Sequence, residues 1–107
     1  MTLKLDWLRG CATALVTPFA ANGAVDEKRL RELIEYQIAG GVRVLVPCGT
    51  TGESVTMTEE ENTFVIRTTV ELSRGRAKVI AGTGSNSTAV TIRRSQAAHG
   101  RNCLDFR

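Results

Sequence analysis

Three short apolar runs, each followed by glycine or proline, alternate with amphipathic stretches and constrain the fold of this chain more than any other feature. The runs cover residues 12–16, 42–46 and 78–81 and consist mostly of Val, Leu, Ile and Ala. Apolar runs of this length with such punctuation are typical of strands buried on both faces of a sheet. Their alternation with helical stretches predicts a parallel sheet with right-handed crossovers.

Each amphipathic stretch begins with a recognisable helix start. Asp26 can cap the first helix, whose apolar residues recur at helical spacing until Gly40. Thr58 followed by Glu61 forms a capping box for a second helix. A third helix is expected from about Ser87 to residue 98, with a weaker start because a valine stands where the box would place glutamate.

Two architectures fit the order strand, helix, strand, helix, strand, helix. One is an open doubly wound sheet, and the other is part of a (β/α)8 barrel. A complete barrel takes about 250 residues, whereas this chain has 107, and a fourth strand would start only near Cys103. If the fold is a barrel, the chain is expected to hold the first three βα units of an incomplete TIM barrel with one sheet face open to water.

Composition narrows the possible partners. The net charge of +3 is scattered along the chain and aromatic residues make up only 5%, so we expect no nucleic-acid partner. No apolar run reaches the length of a membrane span, and the first ten residues lack the apolar core of a signal peptide. We therefore expect no membrane contact and a cytoplasmic location.

Cysteine and histidine usage argues against a metal site. Cys11, Cys48 and Cys103 are an odd number without C-x-x-C spacing, and His99 is the single histidine. These residues cannot supply the four closely spaced ligands of a zinc centre. The cysteines are expected to be reduced, small apolar core residues, and His99 is expected at the surface.

Small hydroxyl and glycine residues follow all three predicted strands, at the edge where parallel α/β folds place their sites. They are Thr17, the segment 49–54 and the segment 82–87. Such a rim suits a carboxylate or phosphate, although tight turns and helix caps need the same residues. We favour the turn-and-cap interpretation for Thr17 and Ser87. We favour ligand binding for the adjacent pair Thr50 and Thr51.

Three motifs make the interpretation specific: VTPF at 16–19, GTTGES at 49–54 and VIAGTGSNST at 79–88. With them, the chain resembles the 4-hydroxy-tetrahydrodipicolinate synthase (dihydrodipicolinate synthase) family from about Leu8 to Ala98. This family belongs to the pyruvate-dependent class I aldolases, which include N-acetylneuraminate lyase. Residues 1–98 are thus expected to be the N-terminal part of the aldolase barrel, and residues 99–107 an atypical tail.

The resemblance implies a homo-oligomeric lyase, a dimer or tetramer, that needs no cofactor and no metal. It condenses pyruvate with L-aspartate semialdehyde through a lysine Schiff base, in lysine biosynthesis by way of diaminopimelate. By resemblance, Thr51 binds the pyruvate carboxylate and Thr50 is the middle member of a tyrosine–threonine–tyrosine proton relay. Gly49 and Gly52 let the turn approach the substrate. Ser54 and Asn86 match a site of feedback inhibition by lysine.

Several departures from the family pattern accompany these matches. Glu59, Asn62 and Val90 replace residues of the inhibited type, which argues against tight inhibition by lysine. The Schiff-base lysine lies on the sixth strand of the family barrel, and neither relay tyrosine is present. The three lysines Lys4, Lys28 and Lys78 and the single tyrosine, Tyr36, lie at other places in the predicted fold. The chain is therefore expected to be inactive alone.

The tail introduces Asp105 and Arg107 where the family continues into an apolar strand. A truncated or frame-shifted gene product, or a fragment, is the resulting expectation. Three alternatives remain open at this point. The chain can derive from another family member, such as N-acetylneuraminate lyase or a 2-keto-3-deoxy sugar acid aldolase, although the Thr-Thr pair favours the synthase. It can be a non-catalytic remnant, or an independent anion-binding module of the doubly wound class.

Overall fold

Three strand–helix units and one further strand make up the computed structural model of this chain, which describes residues 5–99 and the backbone of 104–106. The strands are β1 Ala12–Ala14, β2 Val44–Val46, β3 Lys78–Gly82 and β4 Leu104–Phe106. The helices are α1 Glu27–Ala39, α2 Glu59–Ser73 and α3 Thr88–Ala98. Two short 3-10 turns, Asp6–Leu8 and Ser54–Thr56, precede β1 and α2 respectively.

The sheet is parallel throughout, and its spatial order β1-β2-β3-β4 is the same as the chain order. The register pairs Ala12 with Val44 and Val44 with Lys78. A doubly wound sheet reverses its strand order at a switch point, whereas a barrel adds each strand beside the last. The observed order is therefore that of a barrel segment, and the doubly wound alternative is not supported.

All three predicted helix starts are confirmed by cap hydrogen bonds. Asp26 Oδ1 accepts from the Arg29 amide at 3.0 Å. Thr58 and Glu61 form the complete capping box. The Glu61 amide donates to Thr58 Oγ1 at 3.1 Å, and the Thr58 amide donates to Glu61 Oε1 at 3.0 Å. Ser87 Oγ accepts from the amide three residues on at the longer distance of 3.3 Å.

One face of the sheet is buried under the helices, and the other face is partly exposed. Leu15 and Leu45 are 1% and 0% exposed and pack with Leu30, Ile34 and Val65 in a single apolar core. On β1 and just beyond it, burial alternates with the period of a strand, so that Leu15 is buried and Val16 is 52% exposed. On β2, Val44 and Leu45 are consecutive and are 1% and 0% exposed, so the expected uncovered face is present at the end of β1 but not at Val44.

Surface residues agree with most sequence expectations. His99 is exposed, and within residues 5–99 no helix is long and apolar enough to cross a membrane. Cys48 is buried as predicted, but Cys11 is exposed, so its prediction as a core residue was wrong. Cys11 immediately precedes β1, at the amino end of the sheet. Cys103, Lys4 and Arg107 lie outside the described residues.

Candidate functional site

The turn after β2 contains the GTTG motif and is closed by two overlapping backbone hydrogen bonds. The Gly52 amide donates to the Gly49 carbonyl at 3.1 Å, and the Glu53 amide donates to the Thr50 carbonyl at 3.0 Å. Cys48 and Glu53, which flank this turn, have φ values of 59° and 58°. These left-handed conformations are uncommon for residues other than glycine and often accompany functional sites.

Thr50 and Thr51 sit at the tip of this turn, and both are exposed. Among residues 5–99, neither hydroxyl makes a hydrogen bond to another protein group. Each hydroxyl can donate one bond and accept two. The turn therefore presents two adjacent, unused hydroxyls at the carboxyl edge of the sheet.

A cavity of about 460 Å³ opens between this turn and the loop after β3. Gly49, Thr50 and Ser54 line one side, and Gly84, Ser85 and Asn86 line the other. The structure thus brings together four of the six predicted site residues. Thr51 and Gly52 do not line this cavity, because Gly52 lies against β1 on the other side of the turn.

Contacts with the end of β1 hold the Gly52 side of the turn. Thr17 is 5% exposed, and its Oγ1 donates to the Gly52 carbonyl at 2.7 Å. A Cβ placed on Gly52 would lie 3.0 Å from the Leu15 carbonyl oxygen, which leaves almost no space for a side chain. Thr17 is therefore more than a local turn residue, since it bonds across strands to a residue 35 positions away.

The Cys48 end of the turn packs against the end of β3. The Gly82 amide donates to the Pro47 carbonyl at 2.9 Å. A Cβ placed on Gly82 would lie 2.5 Å from the Cys48 carbonyl carbon and 2.7 Å from the Gly49 nitrogen. These are backbone atoms, which cannot move aside as the end of a flexible side chain can. Only glycine fits at position 82 while the turn keeps its position.

Asn62 connects the same region to α2. It is 4% exposed, and its Nδ2 donates to the carbonyls of Ser54 at 3.2 Å and Thr58 at 3.0 Å. The Cys48 thiol donates to the Asn62 carbonyl at 3.5 Å. Burial raises the pKa of the Cys48 thiol to about 12 despite the nearby Arg94 cation, so this thiol is not a nucleophile at neutral pH.

Arg94 on α3 joins the start of α2 to the loop after β3. Its side chain is only 12% exposed and lies 3.0 Å from a carboxylate oxygen of Glu59, at the start of α2. It also donates to the Gly84 carbonyl at 3.4 Å. Arg94 was not predicted as a site residue, and Gly82 was predicted only as the first residue of the segment 82–87. For Gly82 the signal was a glycine at a strand end, whereas nothing local to Arg94 reveals a partner 35 residues away.

The described lysines and the tyrosine do not line the cavity at this edge of the sheet. Lys78 begins β3, at the opposite end of the strand, and is exposed. Lys28 lies in the first turn of α1 and pairs with Glu32 at 4.0 Å. Tyr36 on α1 is 74% exposed. Within residues 5–99 no cluster of three potential metal ligands occurs.

Comparison with known proteins identifies relatives of this arrangement. The model of the dihydrodipicolinate synthetase family matches residues 7–104. A 4-hydroxy-tetrahydrodipicolinate synthase from Sorangium cellulosum is 63% identical over 92 residues, covering 85% of this chain and 31% of the relative. The chain thus spans about a third of the length of the curated relatives that it matches.

Solved structures give the same result. A dihydrodipicolinate synthase from Aquifex aeolicus superimposes with a TM-score of 0.84 at 42% identity, covering 90% of this chain and 32% of that one. A chloride-inhibited synthase from Acinetobacter baumannii, complexed with pyruvate, superimposes with a TM-score of 0.85 at 40% identity. The superimposed region covers 88% of this chain and 32% of the Acinetobacter baumannii synthase. These neighbours are TIM barrels, which confirms the predicted fold as the first βα units of such a barrel.

Proposed function

We propose, on the premise that the chain belongs to the dihydrodipicolinate synthetase family, that it forms the keto-acid-binding third of a (β/α)8 lyase. The complete enzyme is proposed to condense pyruvate with L-aspartate semialdehyde, as a 4-hydroxy-tetrahydrodipicolinate synthase in lysine biosynthesis. The observation that carries this proposal is the exposed pair Thr50 and Thr51 at the carboxyl edge of the sheet. Two hydroxyls that have no partner within residues 5–99 are available to a small anionic substrate.

Thr51 is proposed to bind the pyruvate carboxylate. Its hydroxyl and the backbone amides at the tip of the turn can donate to a carboxylate, and hydrogen bonds to charged groups are stronger than neutral ones. Gly49 and Gly52, which have no side chains, keep the two faces of the turn narrow.

Thr50 is proposed to pass a proton between two tyrosines supplied by other parts of the complete barrel. A hydroxyl suits this role because it accepts and donates at the same time. The exposure of Thr50, and its place on the wall of the 460 Å³ cavity, leave its oxygen accessible to such partners.

The nucleophilic amine must come from outside the described part of this chain. Lys78 begins β3 at the opposite edge of the sheet, and Lys28 is exposed on α1, paired with Glu32, and absent from the cavity wall. A Schiff base forms only where an amine reaches the keto carbon. We therefore propose that the 107-residue chain alone is catalytically inactive. The complete enzyme is proposed to be a cytoplasmic homo-oligomer without cofactor or metal.

Ser54 and Asn86 are proposed as the remains of a regulatory lysine site. They face each other across the 460 Å³ cavity. Glu59 already pairs with Arg94, and the Asn62 amide already bonds to Ser54 and Thr58, so these two side chains are engaged within the protein. Weak or absent inhibition by lysine is the expected behaviour.

A barrel chimera tests the proposal. In it, residues 7–98 of this chain replace the matching residues of the Sorangium cellulosum relative, which supplies the rest of the barrel. The chimera is expected to condense pyruvate with aspartate semialdehyde. Thr51→Val should raise the KM for pyruvate about 10- to 100-fold, the equivalent of one lost charged hydrogen bond.

Thr51→Ser is the matched control, because it keeps the hydroxyl and should stay within a few-fold of the chimera. A folded chimera that does not consume pyruvate contradicts the proposed function. An unchanged KM in Thr51→Val contradicts the role of Thr51. Turnover of N-acetylmannosamine or a sugar-acid aldehyde in place of aspartate semialdehyde would assign the chain to another branch of the aldolases.

A further inference from the structure

We propose that Thr17 and Gly82 are positioning residues that clamp the Gly49–Gly52 turn between β1 and β3. This inference rests on the proposed function and adds two residues to it. Thr17 holds the far end of the turn by a hydrogen bond, and Gly82 seats the near end by lacking a side chain. Both act on the substrate only through the turn and its two threonines.

The Thr17 contact is long-range and buried. Its hydroxyl lies 2.7 Å from the Gly52 carbonyl oxygen, and Thr17 and Gly52 are both buried. A buried carbonyl that loses its donor is left unsatisfied, which favours movement of the turn toward water. Replacement of Thr17 by an isosteric residue without a hydroxyl therefore loosens the turn without leaving a hole in the packing.

The Gly82 contact is steric. A methyl group at this position would overlap the peptide between Cys48 and Gly49, and the turn would have to move away from β3. The amide of Gly82 also bonds to the Pro47 carbonyl, which fixes β3 beside the same peptide. The approach of the two backbones thus determines where the turn begins.

The conformation of the turn explains why it needs two such contacts. Cys48 and Glu53 both adopt left-handed conformations that are strained for residues with a side chain. A strained conformation persists only where surrounding contacts hold it. Thr17 and Gly82 supply these contacts from opposite sides, so the threonine hydroxyls are presented in one arrangement before substrate arrives.

The first test compares Thr17→Val with Thr17→Ser in the barrel chimera. Thr17→Val is expected to raise the KM for pyruvate about tenfold and to leave the KM for the aldehyde unchanged. Thr17→Ser, which retains the donor, should restore the parent value. A purely structural role would lower the fraction of folded enzyme and hence the maximal rate, with both KM values intact.

The second test compares Gly82→Ala with Gly40→Ala. Gly40, at the end of α1, has φ −76° and would place its Cβ 3.3 Å from the Tyr36 carbonyl oxygen, far from the turn. Gly82→Ala should raise the pyruvate KM tenfold or more, and Gly40→Ala should not change it. If Gly82→Ala does not fold, the comparison of Thr17→Val with Thr17→Ser tests the inference alone.

The outcomes separate this inference from the proposed function. A parent chimera that does not bind pyruvate rejects the proposed function. A fully active parent whose Thr17→Val and Gly82→Ala variants keep the parent KM for pyruvate rejects the clamp. A rise in KM in Thr17→Val that Thr17→Ser does not reverse also rejects it, because the effect would not depend on the hydrogen bond.

Discussion

The Cys48 thiol donates to the backbone carbonyl of Asn62, 3.5 Å away, and so links the second residue after β2 to the first turn of α2. Cys48 is also the left-handed residue that begins the site turn. Its side chain is in the core while its carbonyl meets Gly82. One residue therefore connects the apolar core, the helix that carries Asn62 and the turn that carries the threonines.

This burial predicts a large difference in reactivity between two cysteines. In a Cys103→Ser variant, iodoacetamide should label exposed Cys11 readily and leave Cys48 unmodified in native buffer. Since burial raises the pKa of Cys48 to about 12, raising the pH to 9.5 should still leave Cys48 unmodified. Mass spectrometry of the peptides measures both rates. Equal rates in native buffer would contradict the buried position, whereas labelling of Cys48 in urea is expected.

The capping box at the start of α2 predicts a loss of stability. Thr58→Ala removes the acceptor of the Glu61 amide and should lower the free energy of unfolding by about 1 kcal/mol. Thr88→Ala is the control, because this exposed threonine is the first residue of α3 and not its cap. Urea unfolding measures both. A loss no greater than that of the control would show that the box does not stabilise this helix.

These local features were predictable from the sequence because they depend on residues a few positions apart. The caps at Asp26 and Thr58 needed only local chemistry, and each lies where it was predicted. Two other contacts join residues that are 35 positions apart in the sequence. They are the hydrogen bond from Thr17 to Gly52 and the ion pair of Arg94 with Glu59. Both depend on strand order and crossover geometry. Sequence periodicity left two strand orders open, and only the three-dimensional pairing distinguished them.

The left-handed conformation of Cys48 shows a different limit of prediction. Glycine or asparagine would have signalled a positive φ value, whereas cysteine carries no such signal. The exposure of the second sheet face at Val16, in contrast, was expected from helix count and chain length, whereas the burial of Val44 was not. The roles of Thr50 and Thr51 came from family resemblance and stay predictions until they are measured.

An ion pair between α1 and the loop before β3 predicts a pH-dependent contribution to stability. Nη1 and Nη2 of Arg76 donate to the two oxygens of the Glu35 carboxylate, at 2.8 and 2.7 Å. The hydrogen bond from Arg76 lowers the pKa of Glu35 below its ordinary value. A carboxylate whose folded-state pKa is depressed stabilises the fold above its ordinary pKa of 4.5 and loses this contribution as pH falls through the folded-state value.

Glu35→Gln should therefore lower the melting temperature slightly at pH 7, and the difference from the parent should vanish as pH falls well below 4.5. Glu32→Gln is the matched control on the same helix, because its ion pair with Lys28 is long at 4.0 Å. Thermal unfolding from pH 3 to pH 8 measures the difference. A constant difference across this range would exclude the ion pair as its cause.

The open sheet face predicts that one substitution has different effects in two contexts. Val16 is half exposed in this chain, so Val16→Ala should change the free energy of unfolding by less than about 0.5 kcal/mol. In the barrel chimera the same face becomes the barrel interior, and Val16→Ala should clearly lower the melting temperature. Leu45→Ala, in the helix-covered core, should cost about 2–5 kcal/mol in the chain itself. Equal tolerance of Val16→Ala in both contexts would show that this face is not the barrel interior.

Borohydride trapping with pyruvate, followed by peptide mass spectrometry, tests the central claim most directly. In this reaction an amine and the keto group form an imine with loss of water, and hydride from borohydride reduces the imine to a stable amine. We predict no adduct on the 107-residue chain and, on the barrel chimera, one adduct at a lysine of the Sorangium cellulosum portion, lost or greatly reduced in Thr51→Val. A pyruvate adduct on Lys4, Lys28 or Lys78, or a chimera in which Thr51→Val traps pyruvate as well as the parent does, would contradict the account.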